Sequence, residues 1–319
     1  MSTSVVPTFT LNDGSKVPAF GLGCWMGPEA KPDEAYEVCL TALKAGYRHI
    51  DTAAGYGNEE AVGRAIRDSG IPRAEIFVTT KLANADHHRV AEAFETSFKK
   101  LNIEYVDLYL VHWPQAVKGN SGTLAGEVLP ENVSPTFVET WKDMEKLPGT
   151  GKVRSIGVSN FSVKNLEILL PHATIKPVVN QIEYHPCLPQ FELHEYHKAQ
   201  DILITAYSPL GQGDPRALKD DDIVKIAESR SATPAQVILS WIVQRGIIAI
   251  AKSAQEERLK QNITLIQLTE QEIQSINDIH KKPGMHRSLV RYHREGGKVF
   301  GWTYEQLGWN FSEGGIWKD

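Results

Sequence analysis

Four residues within the first 112 have the types and spacing for acid–base chemistry: Asp51, Tyr56, Lys81 and His112. Asp51 ends the apolar run Tyr47–Ile50. A turn of small residues, Thr52-Ala53-Ala54-Gly55, leads to Tyr56, and a helical pattern follows from Asn58. Lys81 comes after Ile76-Phe77-Val78-Thr79-Thr80, and His112 after Tyr105–Val111. A phenol ordinarily titrates at about 10, too high for efficient proton exchange near neutrality. An ammonium nearby favours the phenolate, so Lys81 is expected to lower the Tyr56 value. Asp51 would keep the lysine charged and oriented, and a neutral His112 would offer a hydrogen bond to a substrate oxygen. The set amounts to a proton donor for a carbonyl that needs no metal.

A second set has the chemistry of a cofactor site. Ser159, Asn160 and Gln181 offer hydroxyl and amide partners for a carboxamide, and Tyr207 offers a ring face for stacking. Lys252, Ser253 and Arg258 lie where a strand-like run passes into a helix, a setting suited to a phosphate. Each residue alone has a plain structural reading: a capping aspartate, a solvated lysine, a core histidine, a basic helix face. Their recurrence at successive strand ends favours one pocket.

Those strand ends need a frame. Short apolar runs lie near Gly21–Gly23, Tyr47–Ile50, Ile76–Thr79, Val106–Val111, Val153–Val158, Val178–Gln181, Ile202–Ala206 and Ile247–Ile250. Between them, apolar residues recur at helical spacing over Asp33–Ala45, Glu59–Ser69, His88–Leu101, Pro135–Leu147, Val163–Leu170, Gln190–Ala199, Ile223–Glu228 and Pro234–Val243. Ser162 is a candidate N-cap, and Thr233-Pro234 places proline in a first turn. The alternation predicts an α/β fold, a (β/α)8 TIM barrel, with continuous apolar strands buried on both faces. An open doubly wound sheet is the competitor, but Gly21-Leu22-Gly23-Cys24-Trp25-Met26-Gly27 does not match its GxGxxG turn. Residues 8–20 read as a hairpin about Asp13-Gly14. Three segments exceed a minimal barrel: Gln115–Ser134, Ser208–Asp222 and the long tail from Lys281. No linker or repeat interrupts the chain, so residues 1–319 are read as a single domain.

Bulk properties narrow the class. With 34 Lys and Arg scattered against 39 Asp and Glu, nucleic acid is not expected as a partner. No run approaches the roughly 20 apolar residues of a membrane helix. Cys24, Cys39 and Cys187 are far apart and suit free thiols in a reducing compartment. Residues 1–7 lack the basic and apolar regions of a secretory leader, so a cytoplasmic location is expected. His194-Glu195-Tyr196-His197 is not HExxH and reads as an exposed helix face. Gly157-Val158-Ser159-Asn160 is not a GxSxG elbow. No tyrosine is followed four residues later by lysine, which disfavours the short-chain dehydrogenase pattern.

Over nearly its whole length the chain resembles the aldo-keto reductases. The markers are Gly46-Tyr47-Arg48-His49-Ile50-Asp51-Thr52-Ala53 with Tyr56 and Asn58-Glu59, Thr80-Lys81-Leu82, and Asp107-Leu108-Tyr109-Leu110-Val111-His112-Trp113-Pro114. They continue with Gly157–Phe161, Asn180-Gln181-Ile182-Glu183-Tyr184-His185-Pro186, Ala206–Gly211, and Lys252-Ser253 with Arg258 and Asn262. The tail around Val299–Tyr304 is similar to fungal members that act on glycerol, glyceraldehyde and related aldehydes. The resemblance implies a barrel closed below by the hairpin, with NADPH across the top. It implies Tyr56 as proton donor, Lys81 and Asp51 as its tuning pair, and His112 as the group that orients the carbonyl. Ser159, Asn160 and Gln181 would hold the carboxamide and Tyr207 would stack on the nicotinamide. Ser208, Leu210 and Asp214 would add contacts from the next loop. Lys252, Ser253 and Arg258 would take the 2′-phosphate, with Gln261 and Asn262 on the adenine. Trp25 and Trp113 would line the pocket for a small carbonyl substrate, in a monomer or homodimer. Two residues depart from the pattern: Ala251 where many members have proline, and Met26 where some have lysine. Asp214 is expected to pair with Lys252 over the pyrophosphate. The alternative is a non-catalytic NADPH-binding regulatory subunit, since potassium-channel β-subunits resemble this family. A damaged tetrad or a long extra N-terminal segment would mark it, and the tetrad is intact.

Overall fold

In the computed structural model, which describes residues 6–27, 32–294 and 296–318, eight parallel strands close into a barrel. In chain order they are Phe20–Gly23, His49–Asp51, Phe77–Leu82, Val106–Val111, Val153–Ser159, Val179–Glu183, Leu203–Tyr207 and Ile248–Ala251. Closure is made by the eighth strand on the first, with Ala249 opposite Phe20 and Ile250 opposite Gly21. Every expected strand is present, shifted by a few residues at most. Strands covered on both faces are largely apolar, and five of the eight are buried at every residue, with polar side chains such as Asp51, Lys81, Asp107 and Gln181 paired inside the protein.

Helices cover the outside. Ser162 caps Val163–Leu169 by accepting from the Asn165 N–H at 3.2 Å, and Asn165 returns the contact. Thr233 caps Pro234–Gln244 in the same manner. The helix expected from Pro135 begins at Phe137, because Thr136 takes the capping position with Glu139. The expected exposed face at His194 and His197 is corrected: both imidazoles are buried. In helix Phe191–Gln200 they share the inner side with Leu193; His197 Nε2 lies 2.9 Å from the Asn180 amide, and His194 Nδ1 3.2 Å from Arg245.

The two ends of the barrel differ. At the N-terminal end, Thr8–Thr10 pairs antiparallel with Lys16–Pro18. This hairpin presses Leu11 and Val17 onto Phe77, Leu108, Leu110, Val179, Ile248 and Ile250, forming an apolar plug. At the C-terminal end four strands finish in the polar residues Asp51, Ser159, Glu183 and Tyr207, and the three long segments gather there. Segment 115–134 and the tail interlock: Gln115 Nε2 donates to Val299 O at 2.8 Å, and Trp302 Nε1 to Leu129 O at 2.8 Å.

Candidate active site

The second strand ends at Asp51, the third holds Lys81 at its next-to-last position, and His112 follows the fourth. Register sets them side by side, since Asp51 lies opposite Thr79 and Lys81 opposite Leu110. Lys81 is fully buried, and its Nζ donates to Asp51 Oδ1 at 2.6 Å and to Thr52 O at 2.9 Å. Tyr56 sits in a short 3-10 turn, Ala54–Tyr56. Its ring centroid lies 5.1 Å from Lys81 Nζ, 5.6 Å from the His112 ring and 5.1 Å from the Trp25 ring. The turn has no room for a larger residue at Gly55, where a Cβ would come within 2.8 Å of Leu124 in the first long segment.

The electrostatics differ from the expectation in one respect. Burial pushes the Tyr56 phenol above its ordinary value; Lys81 pulls it down but only in part. The phenol is therefore neutral at physiological pH, the acid form a proton donor requires. For Lys81, burial works against the charge, and the Asp51 carboxylate and Tyr56 more than offset it, so the ammonium titrates above its usual value. Burial, reinforced by Lys81, holds the His112 imidazole well below the usual histidine range. It is neutral at pH 7, and its buried Nδ1 has no hydrogen-bond partner among the described residues.

Neutral hydrogen bonds continue from the ion pair around the rim. Gln181 Nε2 donates to the second Asp51 oxygen at 2.7 Å. Ser159 Oγ donates to Gln181 O at 2.8 Å, and Asn160 Nδ2 donates to Ser159 Oγ at 3.1 Å and to His112 O at 3.0 Å. Tyr207 donates its hydroxyl proton to Asn160 Oδ1 at 2.8 Å. The four residues expected around a carboxamide thus form one chain ending on Asp51. Two non-glycine residues here, Asn160 (φ 65°) and Ser208 (φ 49°), adopt the left-handed region. Such conformations collect at ligand sites, where the surroundings enforce them.

Farther round, Lys252 and Arg258 are exposed and have no carboxylate partner among the described residues. Ser253 is buried between them in sequence, and helix Glu256–Ile263 carries Arg258, Gln261 and the buried Asn262. Two unpaired cations and a hydroxyl beside a helix start fit an anionic phosphate. Gln261 donates to Glu257 at 3.1 Å. The expected Asp214–Lys252 pair is replaced by Asp214–Arg216 at 3.3 Å, because Arg216 lies two residues from Asp214 in the same loop. Leu210 is half-buried against the main core. Trp25 is 37% exposed at the mouth, whereas Trp113 is buried under Tyr292, Phe300 and Trp309 of the tail.

Several residues of the site carried little signal in sequence. Asn58 accepts from Thr52 Oγ1 at 2.7 Å and donates to Cys24 O at 2.7 Å, so it staples the Tyr56 turn to the Trp25 loop. Glu59 is buried and accepts from Thr80 Oγ1 at 2.7 Å, next to Lys81. In sequence they stood out only as polar residues at a helix start within the family-like run after Tyr56, with no sign of these partners. His112 is also not the only histidine near the rim. His185 follows the sixth strand, bonded to Glu183 at 2.8 Å, and His293 comes from the tail. Tyr292 and Leu124 lie in long segments whose place over the rim could be expected, though not their individual contacts. Among the described residues, no group of His, Cys, Asp and Glu is arranged to hold a metal ion, and no helix is long and apolar enough to cross a membrane.

A parallel barrel with a buried Asp–Lys pair, a tyrosine and a histidine at its C-terminal rim describes a class of oxidoreductase. Residues 19–281 match the aldo/keto reductase family model, and the chain belongs to that family. It is 44% identical to a glycerol 2-dehydrogenase (NADP(+)) of Saccharomyces cerevisiae over 87% of this chain and 92% of the relative. It is 42% identical to an aldehyde reductase of the same yeast, over 88% and 93%. Among solved structures, the Bombyx mori aldo-keto reductase in complex with NADP superposes with a TM-score of 0.81. That match has 36% identity and covers 90% of this chain and 95% of the other.

Proposed function

We propose that this chain is an NADPH-dependent carbonyl reductase in which Tyr56 protonates the substrate oxygen. The substrate class is a short aldehyde, an aldose, or a glyceraldehyde or glycerol type compound. The observation that carries the reading is the neutral, half-buried Tyr56 phenol beside the buried Lys81–Asp51 pair, with a neutral imidazole across the same pocket.

Bound nicotinamide would supply the hydride. The chain's residues do the rest. His112, neutral at physiological pH, orients the carbonyl by a hydrogen bond. Tyr56 gives up its proton as charge develops on that oxygen. Lys81 stabilises the phenolate left behind, and Asp51 keeps the ammonium in place. Ser159, Asn160 and Gln181 would hold the carboxamide once the Tyr207–Asn160 bond opens, and Tyr207 would then present its ring to the nicotinamide. Lys252, Ser253 and Arg258 would take the 2′-phosphate. Trp25 and Trp113 bound the substrate.

The test is Tyr56→Phe, read by NADPH oxidation with a panel of short aldehydes, aldoses, uronic acids and ketoesters. Turnover should vanish for every substrate that the wild type reduces, while NADPH still binds in a fluorescence titration. Wild-type turnover in that variant would sink the assignment. A wild-type chain that binds NADPH but reduces nothing in the panel would favour the regulatory-subunit reading.

A further inference from the structure

Glu183 ends the sixth strand, two residues beyond Gln181 and opposite Tyr207 in register. Its carboxylate is buried. A buried carboxylate is tolerated only where hydrogen bonds or cations satisfy it. Apart from the neighbouring His185, at 2.8 Å from Oε1, its partners come from the tail. Oε1 accepts the Leu289 N–H at 2.8 Å, Oε2 accepts the Ser288 hydroxyl at 2.7 Å, and His293 Nε2 stands 3.7 Å from Oε2. Burial opposes ionisation of Glu183, but these hydrogen bonds and the two imidazoles hold it below the usual carboxylate range.

The partners fall on both sides of residues 290–292. One carboxylate therefore grips the tail before and after Tyr292. Held there, the Tyr292 ring meets Trp113 edge-on at 5.4 Å and tilts against Phe300 at 5.9 Å, and its hydroxyl touches that of Tyr207. The tail is packed as well as gripped: Leu289 and Val290 are buried, and the His293 ring lies against Tyr304, Trp309 and Phe311. A cavity of about 430 Å³, lined by Asn160, Glu183, Tyr207, His293 and Trp309 among others, adjoins this segment. A tail released from the carboxylate has that space beside it.

We propose that Glu183 is a positioning residue for the substrate pocket. By gripping Ser288, Leu289 and His293 it sets Tyr292 as the wall that joins Trp113 to Tyr207, and Tyr292 thereby limits substrate size. The inference rests on the proposed role of the Trp113–Tyr207 region as a carbonyl site.

Glu183→Gln keeps the shape but turns a donor group toward the Leu289 or Ser288 donors. With propanal as the small probe and 4-nitrobenzaldehyde as the bulky one, KM for the bulky aldehyde should change by roughly five- to tenfold, as expected when about one good contact is lost. The kcat for propanal should change far less. Tryptic cleavage after Arg291 or Lys298 should accelerate by roughly tenfold, because local opening becomes easier. Tyr292→Ala should reproduce the KM change without the added cleavage, which separates the wall from the grip. If Glu183→Gln does not fold, Ser288→Ala removes a single hydrogen bond to the same carboxylate and should show both effects in weaker form. An unchanged KM ratio with unchanged cleavage overturns the proposal. Cleavage is independent of turnover, so a protein that reduced no aldehyde would defeat the carbonyl-reductase reading while cleavage still decided whether Glu183 grips the tail.

Discussion

The two halves of the barrel rim solve different problems. Strands two to four contribute ionisable groups to a dry setting: Asp51 and Lys81 with almost no exposure, and His112 beside them. Strands five to seven contribute neutral groups to the pocket, Ser159, Asn160, Gln181 and Tyr207, while their one buried carboxylate, Glu183, is taken up by His185 and the tail. A charge in a dry interior persists only where fixed partners replace water. Lys81 has Asp51 and the Thr52 carbonyl, and Asp51 has Lys81 on one oxygen and Gln181 on the other. The neutral half thus completes the solvation of the charged half. It also carries left-handed backbone at Asn160 and Ser208. One half concentrates electrostatic cost around the proposed proton donor; the other holds strained backbone where it displays amides.

That division can be broken at several points. Tyr56→Phe removes the acid and leaves the scaffold, so kcat should fall by about 10²–10⁴-fold or more, measured at saturating substrate with thermal stability unchanged. Lys81→Met leaves the buried Asp51 without its cation, and unfolding in urea should reveal a loss of about 3–5 kcal/mol. Gln181→Leu strips one hydrogen bond from the same carboxylate, and the same measurement should give about 1–3 kcal/mol. If the two losses were equal, the distinction between charged and neutral halves would fail. Arg258→Gln should weaken NADPH by roughly tenfold or more, the worth of a charge-assisted bond, with NADH affinity nearly unchanged; equal losses would remove Arg258 from the phosphate role.

The smallest expected effect is on pH dependence. In the proposed mechanism Tyr56 acts as the protonated phenol, and its value is raised, so activity should decline only as pH climbs past about 10. His112 acts as the neutral imidazole and its value is lowered, so no loss should appear on acidifying to about 6.5. A step in kcat/KM centred in the neutral range would contradict both.

The barrel was legible because strands buried on two faces are written as largely apolar runs, as at Val106–Val111, where only Asp107 breaks the run and is held by Arg73. The polar residue that ends each run marks the rim. Asp51, Lys81 and His112 could therefore be picked out before any contact was known. Glu183 could not: it sits inside the Asn180–Pro186 motif, and nothing local reveals that Ser288 and Leu289, more than a hundred residues away, bind its carboxylate. Asp214 pairs instead with Arg216, two residues on in its own loop, and the expected contact with Lys252 was framed around a bound pyrophosphate.

By itself, the sequence determined the strand–helix alternation, the helix caps at Ser162 and Thr233, and which side chains end at the rim, because these follow from local periodicity and short-range hydrogen bonding. Only the tertiary structure decided that burial outweighs Lys81 at the Tyr56 phenol, that His194 and His197 turn inward, and that the tail lays Tyr292 against Trp113. Desolvation and long-range packing depend on what surrounds a group in three dimensions, and no spacing along the chain encodes that.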